Sequence, residues 1–216
     1  MKVIRDSYLS KYQVQIEKDM ETKVTGLFGR MLRVLLKVPR NDDQLMVDSD
    51  LADEHVKLIS VRGVEAIGRD VDLFTELFAG HSWGQIAAFL QRFKMSDVRR
   101  KSLLSYIRQD KNLHADIQKM LLVIVKIAQN EQLYFAEQLY TAIFDGDGDH
   151  DTIIRIVVTR SEIDLADICE IYEDKYKRCL QTDISKKCSG DYAKLLSRLI
   201  KCTDKFDNHF NIIEVE

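Results

Sequence analysis

Proline is almost absent from this chain. There is one, Pro39, in 216 residues, together with nine glycines. Proline removes an amide donor and clashes with the preceding helical turn, so its scarcity leaves little that must interrupt a helix. A mostly helical chain is therefore expected. Long apolar runs are also missing: nothing approaches the roughly 20 residues a helix needs to cross a bilayer. The opening M-K-V-I-R-D-S-Y lacks the apolar core of a secretory signal. Neither sign of charge is in excess, the formal net charge being −3. No global basic field attracts nucleic acid, which is not an expected partner, and attraction to anionic lipid has to come from a local patch or a bound cation. The four cysteines, Cys169, Cys179, Cys188 and Cys202, show no C-x-x-C spacing, and the five histidines are scattered. Free thiols in a reducing cytosol are expected, rather than disulfides or a zinc centre. A G-x-x-x-x-G-K-[ST] loop, an HExxH helix and a nucleophile beside a base are all missing, so the chain is not expected to be an enzyme.

What is present is apolar content of 45% alongside 31% charged residues, the balance of a soluble protein with a substantial core. The most informative stretch runs from Tyr134 to Leu165. Phe135, Leu139, Ile143 and Phe144 lie near helical spacing. Asp145-Gly146-Asp147-Gly148-Asp149-His150-Asp151 is turn chemistry, with two glycines free to take positive φ and four carboxylates. Ile153, Ile154, Ile156, Val157 and Val158 then build a second helix, and Ser161 reads as the N-cap of a third.

Leu139-Tyr140-Thr141-Ala142 and Thr152 through Leu165, T-I-I-R-I-V-V-T-R-S-E-I-D-L, resemble the fourth repeat of the annexin family. The family pattern there is L-Y-x-A, a glycine-rich loop, then D-x-x-T-[LI]-I-R-I-x-V-[ST]-R-S-E-I-D-L. Thr25 through Leu36, T-G-L-F-G-R-M-L-R-V-L-L, resembles the last helix of a repeat. Gly63, Gly68, Asp70 and Phe74 match the third repeat more weakly, with His81-Ser82 in place of its usual R-S. Internal comparison agrees: the helices opening at Gly26, Ala115 and Gly190 are versions of one element, and those near Asp70 and Asp149 of another. The resemblance implies an all-α, annexin-like repeat array, five short helices per repeat in a right-handed superhelix, with an incomplete core. The expected divisions are the back half of a repeat at 1–40, a connector at 41–50, a degenerate repeat at 51–129, a fourth-type repeat at 130–201 and a tail at 202–216. Within them, helices are expected at 83–93, 97–107 and 115–128, and 61–70 is expected to be a loop. Leu27, Phe28, Met31 and Leu35 of the half-repeat need a partner surface, from this chain or from another copy. Self-association through an exposed half-repeat is therefore expected.

The resemblance also implies a chemistry. Annexins bind acidic phospholipid through calcium. A hard cation of this kind takes roughly six to eight oxygen ligands. Here they would come from loop carbonyls, a bidentate acid just before the repeat's last helix, and lipid phosphate. In the last repeat Phe144, Gly146, Asp147, Gly148 and Asp149 are the candidate metal residues, but Asp145 and Asp147 stand where glycine is expected. The closing acid is replaced by Lys187 there, by Lys23 in the half-repeat and by Asn112 in the middle repeat, where Asp110 is near. An EF-hand reading of the acidic loop fails, because His150 stands where that loop needs glycine and Ile156 where it needs glutamate. Ile67, Lys186 and Lys187 are the candidate membrane contacts, with an inward-folded Ile67 as the alternative. Lys94 with Arg99, Arg100 and Lys101 forms a second small basic patch. Arg155, Arg160, Glu162 and Asp164 look like the family's partly buried charged scaffold. The expected function is that of a cytoplasmic, annexin-like peripheral membrane protein on acidic phospholipid, with calcium dependence weakened or lost. The alternative is a cytoskeletal or scaffold protein that uses the fold for protein contacts.

Overall fold

In the computed structural model, residues 2–41 and 46–200 are described; the tail at 202–216 lies outside them. They contain thirteen α-helices and one 3-10 turn. The chain divides into two compact units, Met1–Gln129 and Asn130–Glu216.

The first unit opens with α1 (Lys2–Tyr12), α2 (Ile16–Lys23) and α3 (Gly26–Lys37). α3 is the strongly amphipathic helix expected from its sequence, with Met31 fully buried. Next come α4 (Ser49–Arg62), a 3-10 turn (Val64–Gly68), α5 (Val71–Phe78), α6 (Trp83–Ser96), α7 (Leu103–Gln109) and α8 (Ala115–Gln129). Side-chain caps start most of them. Asp48, Asp70, Ser82 and Ser102 each accept a hydrogen bond from an otherwise unpaired amide of the first turn. The core gathers Phe74, Phe78, Phe89 and Phe93 with Ile59, Leu73, Leu77, Leu103 and Leu121. Leu27, Phe28 and Leu35 pack against this cluster, so much of the half-repeat's apolar face finds its partner within its own unit.

The second unit contains α9 (Glu131–Phe144), α10 (His150–Arg160), α11 (Leu165–Tyr176), α12 (Leu180–Lys187) and α13 (Gly190–Leu199). Leu139, Ile143, Ile153, Ile156, Val157, Ile168, Tyr172 and Ile184 form its core. Arg160 ties three elements together. It forms a two-pronged pair with Asp164 at 2.6 and 2.7 Å, reaches Glu131 at 3.2 Å, and lies over the Phe135 ring at 4.6 Å. Gln132 donates to the same Asp164. Arg160 and Asp164 are thus the expected internal scaffold, while Arg155 and Glu162 are exposed.

Three local expectations are corrected. Residues 97–102 are a turn rather than the start of a helix. Asp97 accepts from the Lys101 amide, Arg100 sits at φ +54, and α7 waits for its own cap at Ser102. The stretch at 61–70 is largely helical, because α4 runs on to Arg62 and the 3-10 turn follows. Ser161 does not cap a helix: its hydroxyl donates back to the Val158 carbonyl, and α11 begins only at Leu165.

Candidate functional site

The loop joining α9 to α10 is built by its two glycines. Gly146 lies at φ +60 and Gly148 at φ +91, in the region that side chains with a Cβ rarely enter. The Asp145 amide closes α9 on Thr141, and the Asp149 amide donates to the Ala142 carbonyl at 2.8 Å. Asp149 then caps α10 through its Oδ1, which accepts from the Thr152 amide at 3.0 Å. Hydrogen bonds from Thr152 hold this carboxyl below its ordinary pKa.

Across this loop lies Lys187, the last residue of α12. A Cβ on Gly148 would fall 2.2 Å from Lys187 Cε, so the lysine stem runs directly over that glycine. The ammonium donates to the Gly146 carbonyl at 3.3 Å. The position expected to supply a bidentate acid therefore delivers a positive charge onto a loop oxygen. Beside it is a shallow cavity of about 190 Å³ lined by Ile143, Phe144, Arg178, Asp183, Lys186 and Lys187. The Arg178 guanidinium covers the exposed Phe144 ring at 4.7 Å.

The loop between α4 and α5 is organised differently, with the cation on the turn itself. Gly63 ends α4 at φ +87, and Glu65 folds back over it. Arg69 donates to the Glu65 carbonyl and to Asp110 Oδ1 at 2.9 Å, with its second contact to Oδ2 at 2.7 Å. Asp110 also accepts from the Asn112 amide. Arg62 pairs with Asp70 at 2.7 Å. At the half-repeat, Lys23 is exposed and pairs with Asp19 at 3.5 Å.

A calcium site at either turn has to converge several oxygens on one point. Among the described residues, no group of three or more Asp, Glu, His or Cys side chains converges in this way. Of the residues proposed for the last loop, Asp149 is engaged as a helix cap and the Gly146 carbonyl by Lys187. At the last turn the closing position offers the ion no oxygen, because Lys187 stands there. Ile67 is the clearest correction: at 1% exposure it belongs to the core of the first unit and presents nothing to a membrane. Val64 and Ala66 within the 3-10 turn give no period that a sequence reading could use to orient it.

Some neighbours were invisible in the sequence. His150 Nδ1 lies 3.7 Å from Cys188 Sγ and 3.4 Å from the Tyr192 hydroxyl, although cysteines and histidines are scattered along the chain. Burial and the adjoining thiol push Tyr192 up to about 12. Asp183, which the sequence does not single out, is 4% exposed and holds both Arg178 and Tyr172.

Comparison with known proteins adds three findings. The annexin family model matches residues 134–199. The chain is similar to human annexin A13, 32% identical over 197 residues, covering 91% of this chain and 61% of that protein. It is similar also to mouse annexin A1, 34% identical over 193 residues, 89% of this chain and 54% of that protein. Among solved structures, annexin III superposes with a TM-score of 0.82 at 29% identity, covering 92% of this chain and 60% of that one. Chicken annexin V in complex with Zn2+ gives 0.78 at 30% identity, covering 93% and 62%. The chain thus spans about 60% of the length of these relatives.

Proposed function

This chain belongs to the annexin family, and on that premise we propose that it is a cytoplasmic, peripheral membrane protein that binds acidic phospholipid with calcium dependence weakened or lost. Calcium and phospholipid binding are properties of the family. Among the described residues, no helix is long and apolar enough to cross a membrane. The observation that carries the reading is Lys187 Nζ on the Gly146 carbonyl. A loop that faces lipid through a bound cation in the family here carries a fixed ammonium, beside an exposed Lys186. An ammonium has three donors and keeps its charge at neutral pH, so one can hold the loop while others face phosphate oxygens. Each cation near an anionic surface is worth about 1 kcal/mol, so this pair supplies roughly a thirtyfold gain in partitioning.

The test is sedimentation with phosphatidylserine vesicles. Pelleting in chelator is expected, with the bound fraction changed less than about twofold by calcium and reduced as salt shortens the Debye length below about 10 Å. Lys186→Ala with Lys187→Ala should lower partitioning by about tenfold or more. Pelleting only with calcium would return the acidic loop to service as a metal site. No pelleting on acidic lipid would leave the scaffold reading.

We also propose self-association through the half-repeat. α1 carries Val3, Ile4, Leu9 and Tyr12 largely exposed, apolar side chains with little cover within its own unit. Light scattering over a wide concentration range should show a dimer or larger species, and Ile4→Ser with Leu9→Ser should shift it toward monomer. A single monomeric species at every concentration sinks this proposal.

A further inference from the structure

The two turns that would hold metal in this family are not simply stripped of ligands, because in each a basic side chain of the protein already contacts the oxygens. Lys187 takes the Gly146 carbonyl in one. Arg69 takes the Glu65 carbonyl and the Asp110 carboxylate in the other. The sequence separation is the same in both: Lys187 and Gly146 are 41 positions apart, and so are Arg69 and Asp110. The direction is reversed. In the second unit the cation comes from the position before the last helix and its acceptor from the turn. In the first unit the cation sits on the turn and its carboxylate precedes the last helix. In both units a positive group therefore spans the turn and the segment before the last helix.

We propose that Lys187 and Arg69 are resident cations, each replacing a divalent ion and clamping its turn to the segment before the repeat's last helix, so that both turns are closed without metal. This rests on the reading of weakened calcium dependence and names its cause. A bound calcium at the last turn would have to displace the ammonium and its four-carbon stem from over Gly148, against the repulsion of like charges. At the other turn it would have to displace Arg69 Nη2 from both oxygens of Asp110, again against the repulsion of like charges.

Calcium titration calorimetry without lipid tests this on the full chain. The unsubstituted protein should give no resolvable binding up to millimolar calcium. Lys187→Met removes the charge and should leave binding weak. Lys187→Glu adds a carboxylate where the charge was removed and should bind at least tenfold more tightly than the unsubstituted protein. Equal affinity of the Lys187→Glu and unsubstituted proteins overturns the inference. Hydrogen exchange on the unsubstituted protein gives a second reading, in case the variant does not fold. Amides of residues 145–149 and 65–69 should be protected in chelator and unchanged by calcium, whereas a rise in protection on adding calcium overturns it. Arg69→Gln should speed exchange at 65–69 and leave 145–149 alone; an unchanged rate at 65–69 overturns the Arg69 half. Because no vesicle enters these measurements, a protein that fails to pellet with lipid leaves this result standing, and the converse holds too.

Discussion

Asp183→Ala should destabilise the unit built from α9–α13 by about 3 kcal/mol, more than any other single polar deletion in that unit. Asp183 is 4% exposed and accepts three hydrogen bonds: from Arg178 Nε at 2.8 Å, Arg178 Nη2 at 2.7 Å and the Tyr172 hydroxyl at 3.0 Å. Tyr172 is fully buried, and burial followed by the Asp183 charge drives its ionisation far up. Removing the carboxylate leaves that hydroxyl without an acceptor in the core, at about 1–3 kcal/mol. Arg178 loses its partner as well, but with 44% of its side chain exposed it can turn to water, so its share is the smaller. Loss of packed volume adds to both. Asp183→Asn keeps the volume and one acceptor and should cost about half as much. Tyr172→Phe removes the hydroxyl but leaves the arginine–aspartate pair, and about 1 kcal/mol is expected. Urea unfolding followed by far-ultraviolet ellipticity measures all three. A loss under about 1 kcal/mol for Asp183→Ala would show that water or a rearranged Arg178 satisfies Tyr172.

Acidification should weaken the first unit, and His55 should account for about 1–3 kcal/mol of that loss. His55 lies on α4 at 2% exposure, and neither ring nitrogen has a hydrogen-bond partner. Its ring packs edge-on to Phe89 at 5.7 Å and to His81 at 5.0 Å, while His81 makes its own contact with the Glu76 carbonyl. Burial first, and His81 second, hold its pKa below the usual imidazole value, with Glu76 opposing weakly. The direction follows from proton uptake. Below about pH 6.5 the unfolded chain binds a proton that the folded ring resists, so stability falls as pH drops through that value. The fall continues until the folded ring itself is protonated, with at most about 1.4 kcal/mol lost per pH unit. His55→Leu removes both the proton uptake and the two unsatisfied nitrogens. It should raise stability modestly at pH 8 and by up to about 2 kcal/mol more at pH 5. If the variant and the original protein lose stability in parallel on acidification, another group carries the effect.

Most of the helices were legible because they bury one face at a 3.6-residue period, and six of the thirteen described are opened by a capping Asp, Asn or Ser. Where the reading failed, a local contact overrode the pattern. The Asp97 carboxylate captured the Lys101 amide and delayed α7 to Leu103. Arg160 drew Asp164 back by one turn, leaving Ser161 outside any cap. Ile67 was misplaced because an apolar residue in a glycine-flanked turn can point either way, and only the packing of the 3-10 turn against α7 and α8 chose inward.

By itself the sequence determined the all-helical repeat architecture, the likeness to annexins and a lysine, not an acid, at position 187, since all three are carried by residue type and spacing along the chain. The tertiary structure alone decided what that lysine touches. Whether a lysine at position 187 dangles in solvent or lies across a glycine 39 residues earlier depends on how α12 approaches the α9–α10 turn. Charge is a property of the residue, but which oxygens it reaches is a property of the fold.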